Sequence, residues 1–256
     1  LAAPAADGGG RALTGNEVGL LLADHLLTNA PHDGRNLVVS TIVSTPMVER
    51  IARAHGARFE VTLTGFKWIM QRALELEATG LRLVLGFEEA LGYCIGDRVR
   101  DKDGIAAAAH AARMASAHAA QGRTLHDALE RLHRAHGLFA SRPLSIDLAC
   151  RDGVVQIAAW MAKLRADLPH AIADRAVVRA LDLQGETDLP KSDVVILHLE
   201  DGARIAIRPS GTEPKLKIYL DAMTIIAEAE PLTAAASRVE QRLDAMAHAI
   251  RDRLGM

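Results

Sequence analysis

Two hydrophobic rhythms follow one another along this chain. In the first, short apolar runs alternate with stretches of helical period. "NLVVSTIV" and "ARFEVTLTG" have the look of strands, and each is followed by an amphipathic segment, "TPMVERIARAHG" and "FKWIMQRALELEATG". Pro46 sits near the start of the first of these helices and Gly56 at its end, the usual polarity of the two residues. "LRLVLGFEEALGY" predicts a third strand breaking into a loop. "DGIAAAAHAARMASAHAAQG" and "TLHDALERLHRAHG" predict two more helices. Strands separated by helices imply parallel pairing through right-handed crossovers. The expected unit is a three-layer α/β/α domain with a mixed sheet over residues 36–142.

The second rhythm begins near residue 145. "RPLSIDLA" suggests an extended link and "DGVVQIAAWMAKLRADLP" a helix. "VVRALDLQ", "DVVILHLEDG", "ARIAIRP" and "LKIYLDA" predict strands, and a long helix over about 231–254 ends the pattern. Strands in close succession argue for an α+β domain with a mainly antiparallel sheet, 145–256. Upstream of both, "LTGNEVGLLLADHLL" opens with Thr14 and Glu17 in capping-box spacing. "TNAPHDGRN" (28–36) is a turn-rich candidate linker. The sequence shows no internal repeat.

Composition narrows this picture. Hydrophobic residues make up 49% of the 256 but aromatics only 3%, so the cores must be built from Leu, Ile, Val and Ala. A formal net charge of -2 gives no reason to expect a nucleic-acid or anionic-membrane partner. "LAAPAADGGG" lacks the basic region and apolar core of a secretory signal. "VGLLLADHLL" is too short to span a bilayer and contains Asp24 and His25. Cys94 and Cys150 have no metal-like spacing, and a reducing cytoplasm is the simplest compartment. The chain begins at Leu, which suggests a piece of a longer polypeptide.

The chemistry concentrates in three stretches. "RIAIRPSGTEPKLKIYLDA" joins two alternating runs by a turn that displays Arg208, Ser210, Thr212, Lys215 and several backbone N–H groups, all donors. Arg208 offers a planar fork matched to phosphate oxygens, and clustered N–H groups attract anions. Glu213 is the exception and should point away or position a neighbour. "GFEEALGY" (86–93) follows the third strand, at the end of a parallel sheet where ligands bind. Its Glu88 and Glu89 can accept hydrogen bonds from vicinal sugar hydroxyls, or can mark a solvated helix start. "TLTGFKWI" (62–69) places Lys67 just after the flexible Gly65, as a ligand contact or an exposed helix-start lysine. Elsewhere, Asp103 is expected to cap the Ala-rich helix rather than join Asp101 at a metal. Arg98, Arg100 and Lys102 then shape the rim of the acidic loop. His110, His118, His126 and His133 are expected on helix surfaces, and Trp68 and Trp160 in cores.

"RPSGTEPKLKIY" closely resembles the phosphate-binding loop of the last domain of the α-D-phosphohexomutases, the phosphoglucomutase/phosphomannomutase superfamily. "GFEEALGY" with "VRDKDGI" is similar to the sugar-recognition loop of its bacterial branch. The resemblance implies that Arg208, Ser210, Gly211, Thr212 and Lys215 grip the non-reacting phosphate. It implies that Glu88 and Glu89, with Lys67, meet the sugar. Ala90 stands where many members have Ser, which leaves hexose against pentose phosphate open. The implied reaction interconverts hexose 1- and 6-phosphates through a phosphoserine, a hexose 1,6-bisphosphate and Mg2+. No Ser here is followed by His, and no D-x-D-x-D-R occurs, so the serine and metal motifs of the family have no match. No catalytic residue and no metal ligand is therefore assigned beyond Lys67 as a catalytic candidate. The resemblance places 1–30 at the end of a second domain, 36–142 as the third and 145–256 as the fourth, with an N-terminal half as a missing partner. The alternatives are a non-catalytic phosphosugar-binding module and a phosphopentomutase.

Overall fold

The computed structural model describes residues 2–4, 10–148 and 152–255, so Cys150 lies outside the described residues. The chain divides into two compact units, 1–137 and 138–256.

In the first unit, β1 (Ala2–Pro4) pairs antiparallel with β2 (Gly10–Ala12). The elements that follow are α1 (Gly15–Asn29), β3 (Asn36–Thr41), α2 (Met47–Ala54), β4 (Arg58–Thr62), α3 (Phe66–Glu77), β5 (Arg82–Glu88), β6 (Gly92–Ile95), α4 (Gly104–Ala119) and α5 (Leu125–His136). The main sheet has the order β4-β3-β5-β6, with β4, β3 and β5 parallel and β6 antiparallel to β5. Every residue of β3 is buried, as a central parallel strand covered on both faces requires. α3 covers one face, where Phe66, Ile69, Met70 and Ala73 pack on Leu37, Val39, Leu83 and Cys94. α1 lies on the other face, its Gly19 against the Phe87 ring. α1 and α4 start where capping side chains say they should. Thr14 and Glu17 form a reciprocal capping box on α1, and Asp103 accepts from the N–H groups of Ile105 and Ala106.

The second unit holds β7 (Leu138–Asp147), α6 (Gly153–Ala166), β8 (Ala171–Ile172), β9 (Arg175–Asp182), β10 (Val195–Leu199), β11 (Arg204–Pro209), β12 (Lys215–Thr224) and α7 (Leu232–Leu254). Its six strands pair antiparallel in the order β7-β12-β11-β10-β9-β8. Ile205, Ile207, Leu216, Ile218 and Leu220 point to the helical side, where Ile157, Met161, Val239, Leu243 and Ile250 close the core. Alternation along β11 and β12 puts Arg204, Arg208, Lys217, Tyr219 and Asp221 on the opposite face. There Arg204 donates twice to Asp221 Oδ2 (2.9 and 2.6 Å), and Ser141 donates to Asp221 Oδ1 (2.6 Å).

Several expectations change. Residues 142–147 of "RPLSIDLA" are no link but the end of β7, which pairs along its whole length with β12, and Ala149 lies outside the described residues. "TNAPHDGRN" is no interdomain linker either. It is a tied loop in which Asp33 accepts from Arg35 and Arg82. α1 packs within the first unit, against β5, rather than belonging to a separate domain ending at 30. Of the four helix histidines, His133 is buried rather than on the surface, and His110, His118 and His126 are half-buried. His133 is 6% exposed, and ring nitrogens of His110, His118 and His126 are buried without a partner. Burial holds His25, His110, His118, His133 and His136 below the usual imidazole range. Among the described residues, no helix is long and apolar enough to cross a membrane.

Candidate functional site

Each unit carries one of the two predicted loops. In the first, the acidic stretch is a tight hairpin rather than an open loop or helix start. Glu88 and Gly92 form the last pair of β5 and β6, leaving Glu89, Ala90 and Leu91 as the turn. Leu91 has φ 60, the left-handed residue that three-residue hairpins call for.

α1 holds this hairpin from below. A Cβ on Gly15 would lie 1.8 Å from the Glu89 carbonyl oxygen, so only glycine lets the helix start there. The buried Tyr93 hydroxyl donates to the Gly15 carbonyl (2.9 Å), and desolvation raises its pKa. Asn16 Oδ1 accepts from the N–H of Thr45, tying the same helix end to the loop after β3.

The two carboxylates are held by different neighbours. Glu88 is 8% exposed, and its Oε1 lies 2.9 Å from Lys102 Nζ. This contact is the main cause of the raised Lys102 pKa. The ammonium also sits 5.8 Å from the centre of the Phe66 ring. Gly92 makes room for the pair, because a Cβ there would meet Glu88 Cγ at 2.8 Å and Lys102 Cε at 3.1 Å. Ser44 Oγ donates to Glu89 Oε2 (3.0 Å) and accepts from the Glu89 N–H (3.2 Å). Thr41 Oγ1, 2.8 Å from Ser44 Oγ, completes the chain. Lys67 stands exposed on α3 beyond Gly65 (φ 114), its ammonium 5.0 Å from the ring centre of half-buried Trp68. Arg100, expected on the rim, pairs instead with Glu77 at the far end of α3 (2.6 Å).

In the second unit, β11 and β12 meet in the predicted turn. Ser210 N–H donates to the Lys215 carbonyl (2.8 Å), and Lys215 N–H donates to the Glu213 carbonyl (2.7 Å). Pro214 C=O accepts from Leu148 N–H (3.0 Å), which anchors the turn to the end of β7. Gly211, Thr212 and Glu213 are exposed, and a Cβ on Gly211 would meet nothing within 4 Å. Arg208 lies half-buried with its guanidinium 6.0 Å from the Tyr219 ring centre, and its buried Nε has no hydrogen-bond partner. Lys217 is its cross-strand neighbour. Lys215 Nζ lies 3.2 Å from Glu213 Oε1 and 3.4 Å from Asp147 Oδ2, which together raise its pKa. Glu213 thus positions a neighbour.

Sequence reasoning did not single out Lys217, Ser44 or the Glu88–Lys102 pair. Strand period counted back from Arg208 would have found Lys217, and the hydroxyl-rich "STIVST" at the end of β3 would have flagged Ser44. Among the described residues, no three His, Cys, Asp or Glu converge as a metal set.

Family models described as phosphoglucomutase/phosphomannomutase α/β/α domain III and C-terminal domain match residues 14–136 and 159–238. The chain is 37% identical over 220 residues to a phosphoglucomutase of Staphylococcus haemolyticus, covering 80% of this chain and 39% of that protein. It is 34% identical over 234 residues to a probable phosphoribomutase of Schizosaccharomyces pombe, covering 84% and 40%. The crystal structure of pp63/parafusin, a phosphoglucomutase from Paramecium, superposes with a TM-score of 0.63 at 18% identity, over 95% of this chain and 43% of that one. The chain therefore spans about two fifths of the length of these relatives.

Proposed function

Because this chain belongs to the phosphoglucomutase/phosphomannomutase family, we propose that it is the sugar- and phosphate-binding part of an enzyme that interconverts hexose 1- and 6-phosphates. The observation that carries this reading is Arg208. Its guanidinium leans on Tyr219 beside a turn of donors, and its buried Nε is left unsatisfied. A buried donor without a partner is costly, and a phosphate dianion is the ligand whose oxygens match this fork. In this reading Arg208, Ser210, Gly211, Thr212 and Lys215 hold the phosphate that does not react.

The hairpin supplies the second recognition element. Glu88 offers a carboxylate beside the Lys102 ammonium, an acceptor next to a donor. A pair of vicinal hydroxyls, one donating and one accepting, matches that arrangement. Glu89, fixed by Ser44, offers a second acceptor. Lys67 is an exposed cation in the same unit, free to meet a phosphoryl oxygen. The family resemblance assigns the transfer itself to a phosphoserine, with Mg2+ to offset charge in flight. Among the described residues no three His, Cys, Asp or Glu converge, so none is assigned to hold that ion. The part of this chain is to bind and orient.

A pentose phosphate is the second reading, favoured by the relative named a probable phosphoribomutase. NMR titration of the 256-residue chain with glucose 1-phosphate, mannose 1-phosphate and ribose 5-phosphate separates the two. Binding weakened by both Arg208→Ala and Glu88→Gln is expected. Binding indifferent to both, or conversion of the 1-phosphate to the 6-phosphate by this chain alone, would overturn the reading.

A further inference from the structure

Leu91 occupies the tip of the acidic hairpin at φ 60 and is 65% exposed. The turn calls for a left-handed residue here, but leucine is a costly choice for it. The left-handed region crowds the Cβ of any L-residue other than glycine, and an exposed leucine gains little from burial. Among the described residues, the other non-glycine positions with positive φ are Ala173 and Asp174, in the two-residue turn between β8 and β9. One is small and the other tolerates this region readily. Leu91 is the one large apolar side chain among them.

Its own unit makes little use of that side chain. The turn is fixed from below by Gly15, Tyr93 and Ser44 through Glu89 and the hairpin backbone, so glycine at 91 would serve the fold at lower strain. The leucine shares its turn with the residues read above as sugar contacts. Glu89 is two residues away, and Glu88 and its Lys102 partner close the strand pair beneath it. Strain retained at a ligand-facing turn, without a packing return, points to work done on a ligand.

We infer that Leu91 is a specificity-determining residue of the sugar hairpin, its exposed side chain supplying an apolar patch for the C–H surface of the bound sugar. A pyranose directs hydroxyls to its rim and C–H bonds to its faces. The carboxylates and the ammonium take the hydroxyls, and Leu91 covers the C–H bonds. An epimer that turns a hydroxyl toward Leu91 would bury that hydroxyl without a partner and bind more weakly. The inference rests on the reading that this hairpin takes the sugar.

The test is NMR titration of the 256-residue chain and its Leu91→Gly, Leu91→Ala and Glu88→Gln variants with glucose, mannose and galactose 1-phosphates, together with thermal melting. Leu91→Gly is expected to melt at or above the parent. Its Kd for the best of the three ligands should rise about tenfold, equivalent to about 1.4 kcal/mol, with unequal losses across the epimers. Leu91→Ala should fall between. A Kd within twofold of the parent, equal losses for all three sugars, or a melting temperature lowered by more than about 3 °C would each overturn the inference. If Glu88→Gln weakens binding and Leu91→Gly does not, only this inference fails. If neither does, the sugar reading of the hairpin fails with it.

Discussion

Gly15→Ala tests whether α1 truly sets the position of the acidic hairpin. Alanine is the better helix former, by up to about 1 kcal/mol in a helix interior, so propensity alone predicts a gain. The structure predicts the opposite. A Cβ at 15 would sit 1.8 Å from the Glu89 carbonyl oxygen and 2.7 Å from its carbon, against 3.4 Å or more for ordinary contact. Relief requires the helix start and the hairpin to separate by roughly 1.5 Å, and overpacking of this kind costs about 1–3 kcal/mol. The Tyr93–Gly15 hydrogen bond would be strained as well, for about 1 kcal/mol more. The expected loss is about 3 kcal/mol. Gly104→Ala is the matched control. It too is the first residue of a helix, and a Cβ there meets nothing within 4 Å, so it should be neutral or slightly stabilising. Of the two tryptophans, Trp68 lies in the first unit and Trp160 in the second. Urea unfolding followed by Trp68 fluorescence in a Trp160→Phe background therefore reports the first unit. If Gly15→Ala unfolds within about 0.5 kcal/mol of the parent, or the two variants shift together, the clamp is refuted.

Arg208→Ala and Lys215→Ala should each weaken glucose 1-phosphate binding by about ten- to a hundredfold, since charge-assisted bonds contribute about 1.5–3 kcal/mol. Glu213→Ala should leave it unchanged or tighten it, and equal losses for all three by titration would argue against the phosphate turn. Lys102→Met strands the buried Glu88 carboxylate and should lower first-unit stability by about 1 kcal/mol, discounted because the lysine is half-exposed. It should also weaken sugar binding, with partial rescue by Lys102→Arg. The unfolded chain binds protons to His25, His110, His118, His133 and His136 more readily than the folded one, because burial depresses their folded pKa values. First-unit stability should therefore be fully present above about pH 6.5 and fall as pH drops below it. A urea midpoint equal at pH 7.5 and 5.5 would contradict this.

The sequence showed the architecture wherever local period and burial agree. β3, α3, β11 and the capped helices were all visible as patterns. β7 was not, because it is an edge strand whose residues are mostly half-exposed and it carries Pro143, which an edge tolerates. β6 was hidden by its four-residue length. The histidines were misread because helical period shows which residues share a face, not which partner helix covers that face. At the site, Arg208, Lys215, Glu88 and Glu89 could be chosen from side-chain chemistry and neighbouring glycines. Their partners could not. Lys102 meets Glu88 and Ser44 meets Glu89 across folds of the chain that no local pattern encodes. The glycines that permit these contacts, Gly15 and Gly92, are conspicuous only once the opposing atoms are known.

The Glu213–Lys215 pair carries a consequence for which anions the second unit can admit. Glu213 and Asp147 flank the lysine. An arriving anion must exchange with carboxylates already in place. A chloride or an acetate offers no more than the residents do, and exchange is then a draw. On the proposed reading, a phosphate dianion brings greater charge and also meets Arg208, whose buried Nε has no partner, so the exchange would run forward. If the turn holds a phosphate as proposed, the resident carboxylates set a threshold that monovalent anions would not pass and a sugar phosphate would.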